Sequence, residues 1–301
     1  MGASRQSQSK NAHAVAWVSV PLLSVHKNSG LSTKQVNRFL AFQGLLNDEL
    51  ARHACIMENP VLDLLETESG TQRLIPWLLP QWALVMSQLM LARQQLMIEL
   101  LGDTTWAKLT EVPVMTVRRQ VRYDGDGRGF WQEPSSNPNP AELLLRTTEQ
   151  VHGWWEACQS LLPELGVLMP DMRLAAEPTR QLCSLIEHDY LHQDLSIALA
   201  TMYVLENALS NDVSERLRHA VERCQDAELP APGLRFFDTL LQLARENSAL
   251  VQHFIEAWYF FDKSADELSF LRQSMRLTHL YDLFWQQFLP LHSGFSGDNQ
   301  S

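Results

Sequence analysis

Cysteine is scarce and scattered. The 301-residue chain has four, Cys55, Cys158, Cys183 and Cys224, with no C-x-x-C pair among them, a spacing that disfavours a zinc site and outlines no disulfide framework. Buried thiols in a reducing cytoplasm are the expectation. Positive charge is also short. Against 35 Asp and Glu there are only 24 Lys and Arg, a formal charge of −11, which argues against binding a phosphate backbone; no nucleic-acid partner is expected. No run of about 20 apolar residues stands out, so no membrane-spanning helix and no membrane partner are expected. The apolar run from Ala14 to Val25 follows Arg5 and Lys10 like a faint signal peptide, but Pro21 interrupts it and no small-x-small cleavage site follows. Internal repeats and low-complexity segments are lacking too.

What is present is a great deal of core. Hydrophobic residues make up 45% of the chain and nine are tryptophans, enough to bury roughly 75% of the unfolded surface in a chain of this size. The stretch Pro178 to Leu209 reads as one long helix with no internal Gly or Pro. Leu185, Ile186, Leu195, Ala198, Leu199, Met202, Leu205 and Leu209 form a stripe broad enough for the inside of a bundle. Near its end Glu206 sits among apolar neighbours, where a carboxylate needs a cation, a proton or a metal.

Further helices follow from periodicity. Ser32 or Thr33 caps one running to about Met57, Asn59-Pro60 breaks it, and Val61 to Leu65 form a helical turn. A long helix spans about Leu74 to Leu101, with Pro76 and Pro80 in its first turns and Gly102 as its stop. Others run from Ala141 to Leu165, closed by Gly166, and from Asp212 to Cys224. The last two span about Leu234 to Phe261, with a break near Asn247, and Asp266 to Phe288. Between helices, Val117 to Tyr123 alternates as a strand does, Asp124-Gly125-Asp126-Gly127 is a turn signal, and Gly129-Phe130-Trp131 is a return strand. This hairpin carries Arg118, Arg119, Arg122 and Arg128, a solvated face or a site for an anion. The expected fold is an all-α bundle with an inserted β-hairpin. Residues 1–30 are expected to be disordered or loosely packed, 31–290 to form a single helical domain with the hairpin at about 113–134, and 291–301 to be a disordered tail.

Candidate chemistry begins with Glu149 and His152, an E-x-x-H pair on one helical face. Joined to a carboxylate from a facing helix, such as Glu206, this is how helical bundles hold redox iron or manganese. His188 and His192 lie one turn apart on the long helix, roughly 20 Å from Glu206 by helix rise, and read as polar-face residues. Cys158 reads as a core thiol. Asp262-Lys263-Ser264-Ala265-Asp266 superficially resembles an aspartate-rich magnesium motif but reads as a cap and loop. Aromatic density around Trp154, Trp155, Phe236 and Phe237 reads mostly as core, and would also suit a pocket for an apolar or aromatic substrate. For that pocket Trp155, Phe236 and Phe237 are the candidate lining residues.

From about Asn59 to Ser248 the chain resembles the haem-oxygenase-like superfamily, in the branch of thiaminase-like and pyrroloquinoline-quinone-synthase-like proteins and non-haem diiron oxidases. The resemblance is carried by NPVLDLLE, IPWLLPQWALVMSQL, His152 with the WWEACQSLLPELG that follows Gly153, PTRQLCSLI leading into ALATMYVLE, and RFFD. It implies a haem-oxygenase-like bundle and a non-haem iron-dependent oxidase acting on a small amine, acid or amino-acid-derived metabolite, with Glu149, His152 and Glu206 as metal ligands. The alternative it implies is a metal-free relative, a binding or partner protein or a cofactorless enzyme in a biosynthetic pathway. The family's remaining ligands, His-x-x-x-Asp-x-x-His, fall here on about Leu240, Ala244 and Asn247. Asp238, Glu246 and His253 lie on the same segment as substitutes, at a spacing that does not match. Haem is not expected: His53 is the only candidate for a proximal ligand near the chain start. A homodimer is compatible with the resemblance.

Overall fold

The computed structural model describes residues 31–52, 59–111, 120–123, 129–132, 140–208, 211–225, 231–263 and 265–289. The expectations for 1–30, 291–301, His53, Cys55, Arg118, Arg119, Arg128, the Arg122 side chain and the hairpin turn lie outside them. The described residues are overwhelmingly helical, as an all-α chain requires. In order they form α1 (Thr33–Arg52), α2 (Pro60–Leu64), α3 (Glu68–Glu99), α4 (Thr105–Glu111), α5 (Pro140–Glu164), α6 (Glu177–Asp189), α7 (Leu195–Ala208), α8 (Asn211–Gln225), α9 (Ala231–Phe261) and α10 (Glu267–Gln286). Between α4 and α5, Gln120–Tyr123 and Gly129–Gln132 pair antiparallel, Gln120 opposite Gln132.

Local chemistry sets most helix ends. Ser32 and Gln35 make a capping box: Gln35 N donates to Ser32 Oγ at 3.3 Å and Ser32 N to Gln35 Oε1 at 3.0 Å. Asp266 caps α10, accepting from Leu268 N at 3.0 Å and Ser269 N at 3.2 Å. This is the cap-and-loop reading of the 262–266 segment. Gly166, at φ 65°, ends α5 with Gly166 N donating to Pro163 O and Val167 N to Leu162 O, the paired bonds of a Schellman motif.

Three expectations about helices are corrected. α3 begins six residues earlier than periodicity suggested, capped by Thr67, so Pro76 and Pro80 lie inside it. Pro76 is exposed and Pro80 partly so, which lets water take the carbonyls that lose their amide partners. α9 runs unbroken past Asn247. The supposed single helix of 178–209 is two, α6 and α7, separated at Tyr190 to Asp194 without Gly or Pro. Asp194 makes the break, its Oδ1 accepting from Ser196 N at 2.9 Å and so capping α7. His192 therefore sits in the break, its Nδ1 accepting from Asp194 N at 3.0 Å, and does not stack over His188.

The helices close a circuit in which α3 packs on α5, α5 on α9, α9 on α7, α7 on α10, α10 on α6 and α6 back on α3. Helix α8 spans α3 and α9. One continuous apolar core runs through all of them, from Phe39 to Phe288. Helix α3 alone among the described helices is long and apolar enough to cross a membrane, and 67% of its most apolar window is buried inside the bundle.

Candidate functional site

The breaks and crossings place three polar side chains in the dry centre. Arg93 of α3 donates from Nε to Glu206 Oε1 at 2.9 Å and from Nη2 to Glu206 Oε2, a two-toothed pair. Tyr190, the residue that ends α6, donates its hydroxyl to Glu206 Oε1 at 3.3 Å. Both charged side chains are essentially shut off from solvent, at 2% and 0% exposure, so the pair survives only because each charge cancels the other at hydrogen-bond distance. In one straight helix Tyr190 and Glu206 would stand about 24 Å apart. The break at 190–194 brings their oxygens together. Burial, with the Glu206 carboxylate beside it, holds the Tyr190 phenol well above its ordinary range, so it is a neutral donor.

Arg93 is the residue that sequence reasoning missed. Its signal was available: it is the only charged residue between Arg73 and Glu99, in an otherwise apolar and amide-bearing helix.

The structure does not bring the three sequence-predicted ligands together. Glu149 is exposed on α5. His152 has 78% of its side chain in solvent, 3.3 Å from Glu156. The E-x-x-H pair thus lies on the outer face of α5 while Glu206 lies inside, because the inner face of α5 belongs to Val151, Trp154 and Cys158. Among the described residues no group of three or more His, Cys, Asp or Glu is placed to hold a metal ion. Asp238 is exposed, 3.6 Å from Arg218. His253 lies 3.0 Å from Leu109 O through Nε2, with burial lowering its proton affinity. The Glu246 and Ala244 side chains lie outside the described residues. Leu240 and Asn247 are buried and offer neither imidazole nor carboxylate.

Of the aromatic residues, Phe236 and Phe237 are fully buried and Trp155 packs at the core's edge. Phe236 stacks on Trp154 at 5.3 Å and lies 5.9 Å from Trp82. The indole N–H groups of Trp82 and Trp154, whose rings pack on Phe236, are buried with no acceptor among the described residues, as are those of Trp258 and Trp285. Burial pushes the Cys158 thiol up to about 12, which leaves no thiolate for nucleophilic work at neutral pH.

Comparison with protein-family models, with curated proteins and with solved structures gave no match.

Proposed function

We propose that the chain is a metal-free, haem-oxygenase-like helical bundle that binds a small apolar or aromatic metabolite and serves as a binding or partner protein, in place of the iron-dependent oxidase which the sequence resemblance implies. Arg93 carries this reading. The carboxylate that the resemblance assigns to iron, Glu206, already has both oxygens engaged by a buried guanidinium. A metal at that point would have to displace Arg93 and leave a cation stranded in the core. Glu149 and His152 face solvent on another helix, so the donor set does not fit iron.

Binding is supported by the aromatic group around Phe236. Two buried indole donors without acceptors among the described residues are each costly to leave unpaired, and a small ring bearing a carbonyl or carboxylate oxygen would satisfy them while its apolar body meets Phe236 and Phe237. A reducing cytoplasm is the proposed setting, supported by Cys158, Cys183 and Cys224 as free thiols. The test is metal content after anaerobic loading with ferrous iron, for the parent chain and Glu206→Gln. We expect no stoichiometric iron in either, and native mass spectrometry of freshly purified protein to show a small-molecule adduct. One equivalent of iron in the parent that Glu206→Gln abolishes would overturn the reading.

A further inference from the structure

The run HDYLHQDLS contains neither Gly nor Pro, and Asp194 sets only where α7 starts. The angle at which α6 meets α7 has to be held from elsewhere in the fold, and α10 holds it. Gln273, 6% exposed, donates from Nε2 to Asp189 Oδ2 at 2.8 Å and to Thr201 Oγ1 at 3.0 Å. Asp189 is the last residue of α6 and Thr201 lies nearly two turns into α7, so one amide group bridges the two sides of the break. Its orientation is forced. The Asp189 carboxylate can only accept, and the Thr201 hydroxyl already donates to Ile197 O at 2.9 Å, so both call for a donor, which the amide oxygen is not. Arg276 also reaches Asp189 Oδ2, at 3.3 Å, but its side chain is 61% exposed and water screens that pair.

We propose that the corner Tyr190–Asp194 is a gate over the buried Arg93–Glu206 pair, and that Gln273 is the latch that holds it shut. Tyr190 directly follows Asp189 and donates its hydroxyl to Glu206 Oε1 at 3.3 Å, so holding Asp189 positions Tyr190. Beyond Tyr190 the chain comes straight to the surface: Leu191 and His192 are partly buried, Gln193 and Asp194 exposed. The corner thus runs from the ion pair to solvent within five residues. Opening it breaks the Gln273 and Tyr190 bonds and leaves every helix intact, a local motion of the kind by which folded proteins expose a buried group. Water then reaches a pair that is otherwise sealed and weakens the attraction of Arg93 for Glu206. The latch joins α6, α7 and α10, apart from the Phe236 group on α3, α5 and α9, and works without any ligand there.

Hydrogen–deuterium exchange of the full chain at neutral pH tests the latch, with Gln273→Glu, Thr201→Val and Ser274→Ala. Gln273→Glu keeps the shape and sets a carboxylate against Asp189; Thr201→Val removes the acceptor on α7. Ser274, whose hydroxyl donates to Phe270 O at 3.0 Å within α10, is the neighbouring buried control. Amides of 187–197 should exchange at least about tenfold faster in Gln273→Glu, faster also in Thr201→Val, and at the parent rate in Ser274→Ala. Those of α3 should keep the parent rate in all three. Tyr190 gives a second readout. Its nitration by tetranitromethane, followed by peptide mass spectrometry, should rise by the same factor in Gln273→Glu, while that of Tyr259 on α9 stays at the parent level. Parent-rate exchange at 187–197 in Gln273→Glu overturns the proposal; should that variant not fold, Thr201→Val decides in the same way. An acceleration shared equally by α3 marks a loosened core and overturns it too. So does fast exchange at the corner with nitration of Tyr190 unchanged.

Discussion

Arg93 and Glu206 are 113 residues apart in sequence and in direct contact in the core. Removing one partner leaves the other as a buried, uncompensated charge. Arg93→Met is therefore expected to cost about 3–5 kcal/mol, and Arg93→Met/Glu206→Leu to recover most of that loss or exceed the parent. Urea unfolding of both single variants and the double variant would show the coupling directly. Additive losses would mean that the pair is not held as described. The buried thiols set a second expectation. Burial pushes Cys158 and Cys183 from 9.0 up to about 12, with Glu187 adding to the shift at Cys183. Above pH 9 the unfolded chain gives up these protons while the folded chain keeps them. Stability should then fall as pH rises from 9 toward 12, by up to about 1.4 kcal/mol per pH unit for each thiol. Tyr190, raised by burial and by Glu206, acts in the same direction above pH 10. Urea midpoints under reductant, taken below and above pH 9, should be flatter with pH in Cys158→Ala than in the parent.

Two glycines of the helices have opposite meanings. A Cβ on Gly70 would lie 2.0 Å from the Leu64 carbonyl oxygen, where the first turn of α3 closes onto the end of α2, whereas one on Gly153 of α5 would meet nothing within 4 Å. Gly70→Ala should lose at least about 2 kcal/mol to overpacking, while Gly153→Ala should gain about 0.5–1 kcal/mol from helix propensity alone. Thermal unfolding of the two variants should move in opposite directions; a shared sign would contradict the packing at one of them. The division between α6 and α7 belongs to the same scale. Asp194 has the chemistry of an N-cap, but nothing in the run HDYLHQDLS forbids continuing the helix, so periodicity carried the expected helix straight through.

At the scale of the whole molecule, the circuit of α3, α5, α9, α7, α10 and α6 encloses the Arg93–Glu206–Tyr190 group. Helix α3 supplies the cation that neutralises Glu206. Glu149 and His152 illustrate how a local motif misleads at this scale. Their spacing correctly puts both on one face of a helix, but which face looks inward was decided by the larger apolar side chains opposite, Val151, Trp154 and Cys158. A burial difference of several apolar side chains outweighs any preference of one Glu–His pair.

Helical class, most helix limits, the cap at Asp266, the stop at Gly166 and the depth of Phe236 and Phe237 were all legible in sequence, because caps, turn residues and apolar periodicity act within a few residues of one another. Glu206 was also legible as a buried carboxylate needing a counterion. What it met was not. The choice between Arg93 and a metal depends on how α3 and α7 cross, and the reach of Tyr190 depends on a bend that local propensity does not dictate. Such long-range pairings are fixed by the packing of the whole core. Only the tertiary structure could turn an expected ligand into half of an ion pair.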